Sequence, residues 1–237
     1  MPVSKKRKKA ITTQRRVLQA PAKSERWAVT LNGSRLMYIR NDPDFLTIIK
    51  VGRVMNAISY AMTDVASYEP LGTVLGTRQY RRAMFVLGGY LHEGIKLIQS
   101  IKGRYLTEPS FEPLRALALG SEDKKTRDYL KKVRNVAAFH LDEFDEITRH
   151  MLKDLKPKTY PFTAGDNKTE GTFYFEFSDY IDLAFLVETF ADGRSWEETS
   201  TDMIKSITNI AYRFLMACHD FLIFLCKKIG IAEHVYR

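Results

Sequence analysis

Ser195 and Glu198 stand three residues apart at the head of a long stretch of apolar residues at helical spacing. That pair is a capping box: each side chain can satisfy the other's backbone N–H at a helix start. The helix it opens should run to about Lys228, where Gly230 supplies the stop. The run from Ile210 to Cys226 is apolar enough to raise the question of a membrane span. Arg213, His219 and Asp220 interrupt it, and charges inside a span are expensive. The segment is therefore expected to be the buried core helix of a soluble protein, and its flanking elements must cover it.

The rest of the chain supplies helices to do so. Asp42-Pro43 offers an N-cap and a first-turn proline. The helix that follows should run from Asp44 to about Tyr68, with Leu46, Ile49, Val54, Ile58 and Met62 near helical spacing, until Pro70, Gly72 and Gly76 break it. A second long helix is expected from about Thr77 to Ile101, buried along Phe85, Leu87, Leu91, Ile95, Ile98 and Ile101 and ending near Gly103. Pro109 and Pro113 bracket a connector and a short helix that ends at Gly120. Ser121 is placed to cap the next helix, with Glu122 and Asp123 favourable in its first turn. The amphipathic pattern continues from Leu141 to Leu155, and a further helix should span Asp179 to Ala191.

Two places break the pattern. Residues 27–41 hold Asn32-Gly33 between short apolar flanks, which reads as a brief hairpin or an irregular lead-in. Residues 156–177 carry Pro157, Pro161, Gly165 and Gly171 ahead of Thr172-Phe-Tyr-Phe-Glu-Phe177, the composition of a strand or small hairpin. The expected fold class is all-α, mainly a helical bundle, with a small β-hairpin insertion near 156–177. The expected organisation is one helical domain over 27–237 behind an arm of residues 1–26.

The net charge of +9 is concentrated in that arm. Residues 1–26 carry nine Lys or Arg against Glu25 alone, a net of +8, so the remaining body is close to neutral. Lys5, Lys6, Arg7, Lys8 and Lys9, with little apolar content around them, read as a disordered segment that attracts nucleic-acid phosphate. A nuclear-localisation signal and a merely solubilising terminus fit the same residues. No apolar run follows the cluster, so it is not a secretory signal peptide. Cys218 and Cys226 fall about 12 Å apart on one helix, too far for a disulfide. They read as small buried residues of a reducing compartment, cytoplasmic or, in a eukaryote, nuclear.

Chemistry is concentrated in Leu130-Lys-Lys-Val-Arg134-Asn135-Val-Ala-Ala-Phe139-His140-Leu-Asp142. An arginine is a permanent cation suited to phosphate, and a histidine exchanges protons near neutral pH. With its Arg, following polar residue and His six positions on, the stretch resembles the signature of the HEPN superfamily of nucleotide-binding helical proteins. The resemblance is close over about a dozen residues and architectural elsewhere. It implies a metal-independent endoribonuclease that works by transesterification and needs no cofactor. Arg134 would bind the phosphate and the charge that develops on it, His140 would transfer protons, and Asn135 would orient the pair. Glu93, on the second long helix, and Asp142 would support them, although a glutamate such as Glu93 is more often a solvated helix residue. The resemblance also implies an isologous homodimer and a role as a toxin, with an antitoxin or other regulator as protein partner, or in defence against phage.

On a straight helix, six steps separate Arg134 and His140 by about 120°. The helix must therefore change between them, or a second molecule must complete the site. The plainer reading makes Arg134 one of a basic surface row with Lys131 and Lys132, and His140 a core-edge residue. The corresponding rival function is a non-catalytic helical module that binds nucleic acid or protein, tethered by the basic arm. Metal-ligand density in His140, Asp142, Glu143, Asp145, Glu146 and His150 is read as a solvated acidic face, because no further His or Cys cluster completes it. Phe173-Tyr174-Phe175 could stack bases but reads first as strand packing. The sequence holds no Walker loop, dinucleotide glycine fingerprint or Gly-x-Ser-x-Gly elbow.

Overall fold

The computed structural model describes residues 26–28, 33–68, 74–135, 164–167, 172–175, 184–231 and 234–236. Its fold class is all-α. In chain order, strand β1 (Arg26–Ala28) precedes α1 (Gly33–Ile39), α2 (Pro43–Tyr68) and α3 (Val74–Tyr105). A single 3₁₀ turn, Pro109–Phe111, leads into α4 (Glu112–Leu119), which is followed by α5 (Lys124–Val133). Strands β2 (Ala164–Asn167) and β3 (Thr172–Phe175) come next, then α6 (184–190), α7 (Trp196–Lys228) and β4 (His234–Tyr236). β2 pairs antiparallel with β3, and β1 with β4, so the two ends of the described chain meet in one short ladder.

The helices form where the capping chemistry starts them. The Asp42 carboxylate accepts from the N–H groups of Asp44 and Phe45 at 2.7 and 3.0 Å, opening α2. The capping box of Ser195 and Glu198 is complete at the head of α7. At the other end of α7, Gly230 takes φ +67°, a conformation that favours glycine. α7 has the length and apolar composition of a membrane-crossing helix. In this fold its Met203, Ile207, Ile210, Phe214, Phe221 and Leu225 are buried against α2, α3, α4 and α5.

Glycines let α3 come close to its neighbours. A Cβ at Gly94 would lie 2.8 Å from Val54 on α2 and 2.9 Å from Phe214 on α7. One at Gly88 would lie 2.7 Å from Val133 at the end of α5. Because Gln99 bonds to the carbonyl of Ala118 at the end of α4, and Gly88 meets Val133, α5 runs antiparallel to α3. A buried polar junction closes the far end of the bundle. The Tyr105 hydroxyl donates to Asp44 at 2.7 Å and lies 3.0 Å from Thr47, while Arg104 and Lys228 pair with the same carboxylate at 3.0 and 3.2 Å.

Several expectations need correction. Residues 33–39 are the helix α1, not one arm of a hairpin. The apolar flanks of Asn32-Gly33 are too short to pair with each other, and Arg26–Ala28 pairs with β4 instead. Leu46 and Ile49 lie on the outer face of α2, 44% and 47% exposed, and the buried stripe is Phe45, Val51, Ile58, Ala61 and Val65. α3 begins at Val74, so Gly76 sits inside a helix and does not break one. The N-cap position of α5 is Asp123, not Ser121, and its carboxylate is turned to Arg213 of α7 at 2.8 Å without capping the helix.

Candidate functional site

Arg134 occupies the C-cap of α5, and several contacts hold that helix in place. Arg127 donates to the carbonyls of Leu117 and Gly120, closing the turn from α4. Asp123 pairs with Arg213, and Lys125 pairs with Asp202 on α7. Arg194 reaches the same Asp202 carboxylate at 3.2 Å. The Lys132 ammonium sits 5.6 Å from the ring centre of Phe185 on α6. Buried Tyr129, Leu130 and Val133 face the core, which leaves Lys131 and Lys132 exposed.

At Arg134–Asn135 the backbone opens from α into a wider π turn. Such turns change the angular step per residue and are frequent at functional sites.

The guanidinium of Arg134 does not stand in an open basic row. Its Nε donates to Oε1 of Glu93 at 3.1 Å, across 41 residues of sequence, and one Nη donates to the Asn135 side-chain oxygen at 3.3 Å. The Arg134 side chain is 24% exposed and that of Glu93 44%. Glu93 is therefore a partner of Arg134, not a solitary solvated glutamate. Two of the residues with expected catalytic roles, Arg134 and Asn135, are thus brought together with one expected supporter. His140 and Asp142 lie outside the described residues, as do Lys5, Lys6, Arg7, Lys8 and Lys9.

No protein-family model, curated protein or solved structure matches this chain. The geometry of the site stands on its own.

That geometry adds a residue which sequence reasoning passed over. His92 precedes Glu93 on α3 and is half-buried. Burial holds its imidazole below the ordinary histidine value; Glu93 works against that shift, and Lys96, Arg134 and Lys131 reinforce it. In the sequence His92 is one helix histidine beside the more obvious Glu93. Its proximity to Arg134 depends on the packing of α3 against α5, which no local pattern announces. Among the described residues no group of three His, Cys, Asp or Glu is placed to hold a metal ion, and the acidic stretch from His140 to His150 lies outside them. Cys218 is buried and its thiol is pushed far up by burial, which makes it an inert packing residue.

Proposed function

We propose that the chain is a metal-independent endoribonuclease of HEPN type, with Arg134 as its phosphate-binding residue and His140 as a proton-transfer residue. The observation that carries this reading is the Glu93–Arg134 pair. An arginine three-quarters buried, bonded along one edge by a carboxylate from another helix, has a fixed direction. A fixed cation needs little rearrangement when charge develops on phosphorus, and that is the condition for electrostatic stabilisation of a transition state. A surface arginine serving only solubility needs no such partner.

The reaction supported is transesterification within RNA. A base takes the proton of a ribose 2′-hydroxyl, the 2′-oxygen attacks the adjacent phosphorus, and the bond to the 5′-oxygen breaks as that oxygen gains a proton. The guanidinium of Arg134 answers the charge on the non-bridging oxygens, and its planar fork suits phosphate. Since the nucleophile is the 2′-hydroxyl, DNA is not a substrate. The proposal includes the isologous dimer that the HEPN resemblance implies.

The deciding experiment is cleavage of a mixed RNA pool in EDTA by the wild type, R134A and H140A, with product ends mapped. The expected result is wild-type cleavage leaving 2′,3′-cyclic phosphates, lost in both variants. Binding of the pool by dimeric wild type without any cleavage would instead favour a non-catalytic module tethered by its basic arm.

A further inference from the structure

Two contacts on α3 bracket His92. Four residues before it, Gly88 lies against Val133 of α5, and one residue after it, Glu93 holds Arg134. Residues four apart share a helix face, so His92 projects from the side of α3 on which α5 lies. The opposite side of α3, marked by Gly94, is filled by Val54 and Phe214. His92 therefore stands at the seam that carries Arg134 and not in the core between α2 and α7. Its ring is half-buried and makes no hydrogen bond to a described residue.

We propose that His92 is a general base of the Arg134 site, accepting the 2′-hydroxyl proton of the RNA whose phosphate Arg134 binds. The inference rests on the ribonuclease reading and adds a residue to it. In the step, the O2′–H bond breaks with its proton passing to the His92 imidazole, and an O2′–P bond forms. The P–O5′ bond then breaks, and the leaving oxygen takes its proton from His140, the group to which the ribonuclease reading gives proton transfer. The charged groups acting on His92 are Glu93 and Lys96 from α3 and Lys131 and Arg134 from α5. Burial first, and then the excess of cations over Glu93, holds the imidazole below the ordinary histidine value, which favours the unprotonated form that a base requires.

The test is the pH dependence of RNA cleavage in EDTA by the full chain, comparing the wild type with His92→Asn and Lys96→Gln. The expected wild-type profile falls on its acid side below the ordinary histidine value of about 6.5. H92N should cleave about 100-fold more slowly, the lower end of what a general base contributes, and should lose that acid limb while still binding RNA. K96Q changes an exposed residue and removes one cation acting on His92, so the limb should move to higher pH; this readout holds even if H92N fails to fold. Cleavage by H92N within about threefold of wild type with the same limb would overturn the assignment. So would an acid limb that K96Q leaves in place. Wild type that cleaves no RNA removes the ribonuclease reading itself, whereas active wild type with indifferent H92N removes only the role of His92.

Discussion

At the scale of single residues, two of the polar clusters among the described residues answer to opposite tests. Glu93 is partly solvated, so its ion pair with Arg134 contributes little to stability; in the proposed ribonuclease it orients the guanidinium. Glu93→Gln should shift the urea midpoint by less than about 1 kcal/mol equivalent and still reduce RNA cleavage about tenfold, a smaller loss than R134A. A Glu93 that served the fold alone would show the reverse ranking. Tyr105 is the opposite case, fully buried and bonded to a charged Asp44. Tyr105→Phe should destabilise by about 2 kcal/mol, typical of a hydrogen bond to a charged group. Burial raises the phenol to about 12, the Thr47 contact opposes this, and the Asp44 carboxylate adds to it. The folded state therefore retains a proton that the unfolded chain releases near pH 10. The stabilisation is full below pH 10 and is lost as pH rises toward 12. The stability gap between wild type and Y105F should narrow over that window, and urea melts at pH 9 and 11.5 measure it. Asp44 behaves oppositely. Burial pushes its carboxyl up, but the Tyr105 bond with Lys228 and Arg104 brings it below its ordinary value. Its contribution is therefore present above that value and fades as pH falls below it.

At the scale of elements, close approach matters more than propensity. Alanine is worth about 1 kcal/mol over glycine in a helix interior, yet Gly88→Ala should destabilise by about 1–3 kcal/mol. The new Cβ would meet Val133, whose branched side chain has essentially one rotamer in a helix. Val133→Ala in the same chain should recover part of the loss, and the non-additivity of that double-mutant cycle in urea melts reports the contact. The same packing decided what was legible in the sequence. The helix starts at Asp42 and Ser195 and the stop at Gly230 are local chemistry, and the sequence announces them. The face of α2 is not local, because apolar residues surround that helix and only α3 and α7 determine that Phe45 turns inward and Leu46 outward. Asp123 was legible as a first-turn acid but not as the partner of Arg213, 90 residues away. Arg134 and Glu93 each stood out as residue types, but their bond exists only because α5 returns antiparallel along α3, and the neighbourhood of His92 follows from the same return.

At the scale of the whole molecule, charge divides the chain into two working parts. The body beyond residue 26 is nearly neutral, so under the ribonuclease proposal its contact with RNA rests on a few placed cations such as Arg134. The arm carries a net of +8, which attracts phosphate without regard to sequence and weakens steeply with salt. Each phosphate neutralised on a single strand contributes about −0.7 to the slope of log K against log salt concentration. If the arm engages RNA, a chain lacking residues 1–25 should lose several units of that slope, and the affinity difference should shrink as salt rises. Cleavage under saturating RNA should survive the deletion, because the seam between α3 and α5 is intact in the shortened chain. Fluorescence anisotropy across a salt series, with single-turnover cleavage on the same RNA, separates the two contributions. An unchanged slope would assign RNA capture to the helical body alone. Loss of saturated cleavage would make the arm part of the reacting complex and not merely its tether.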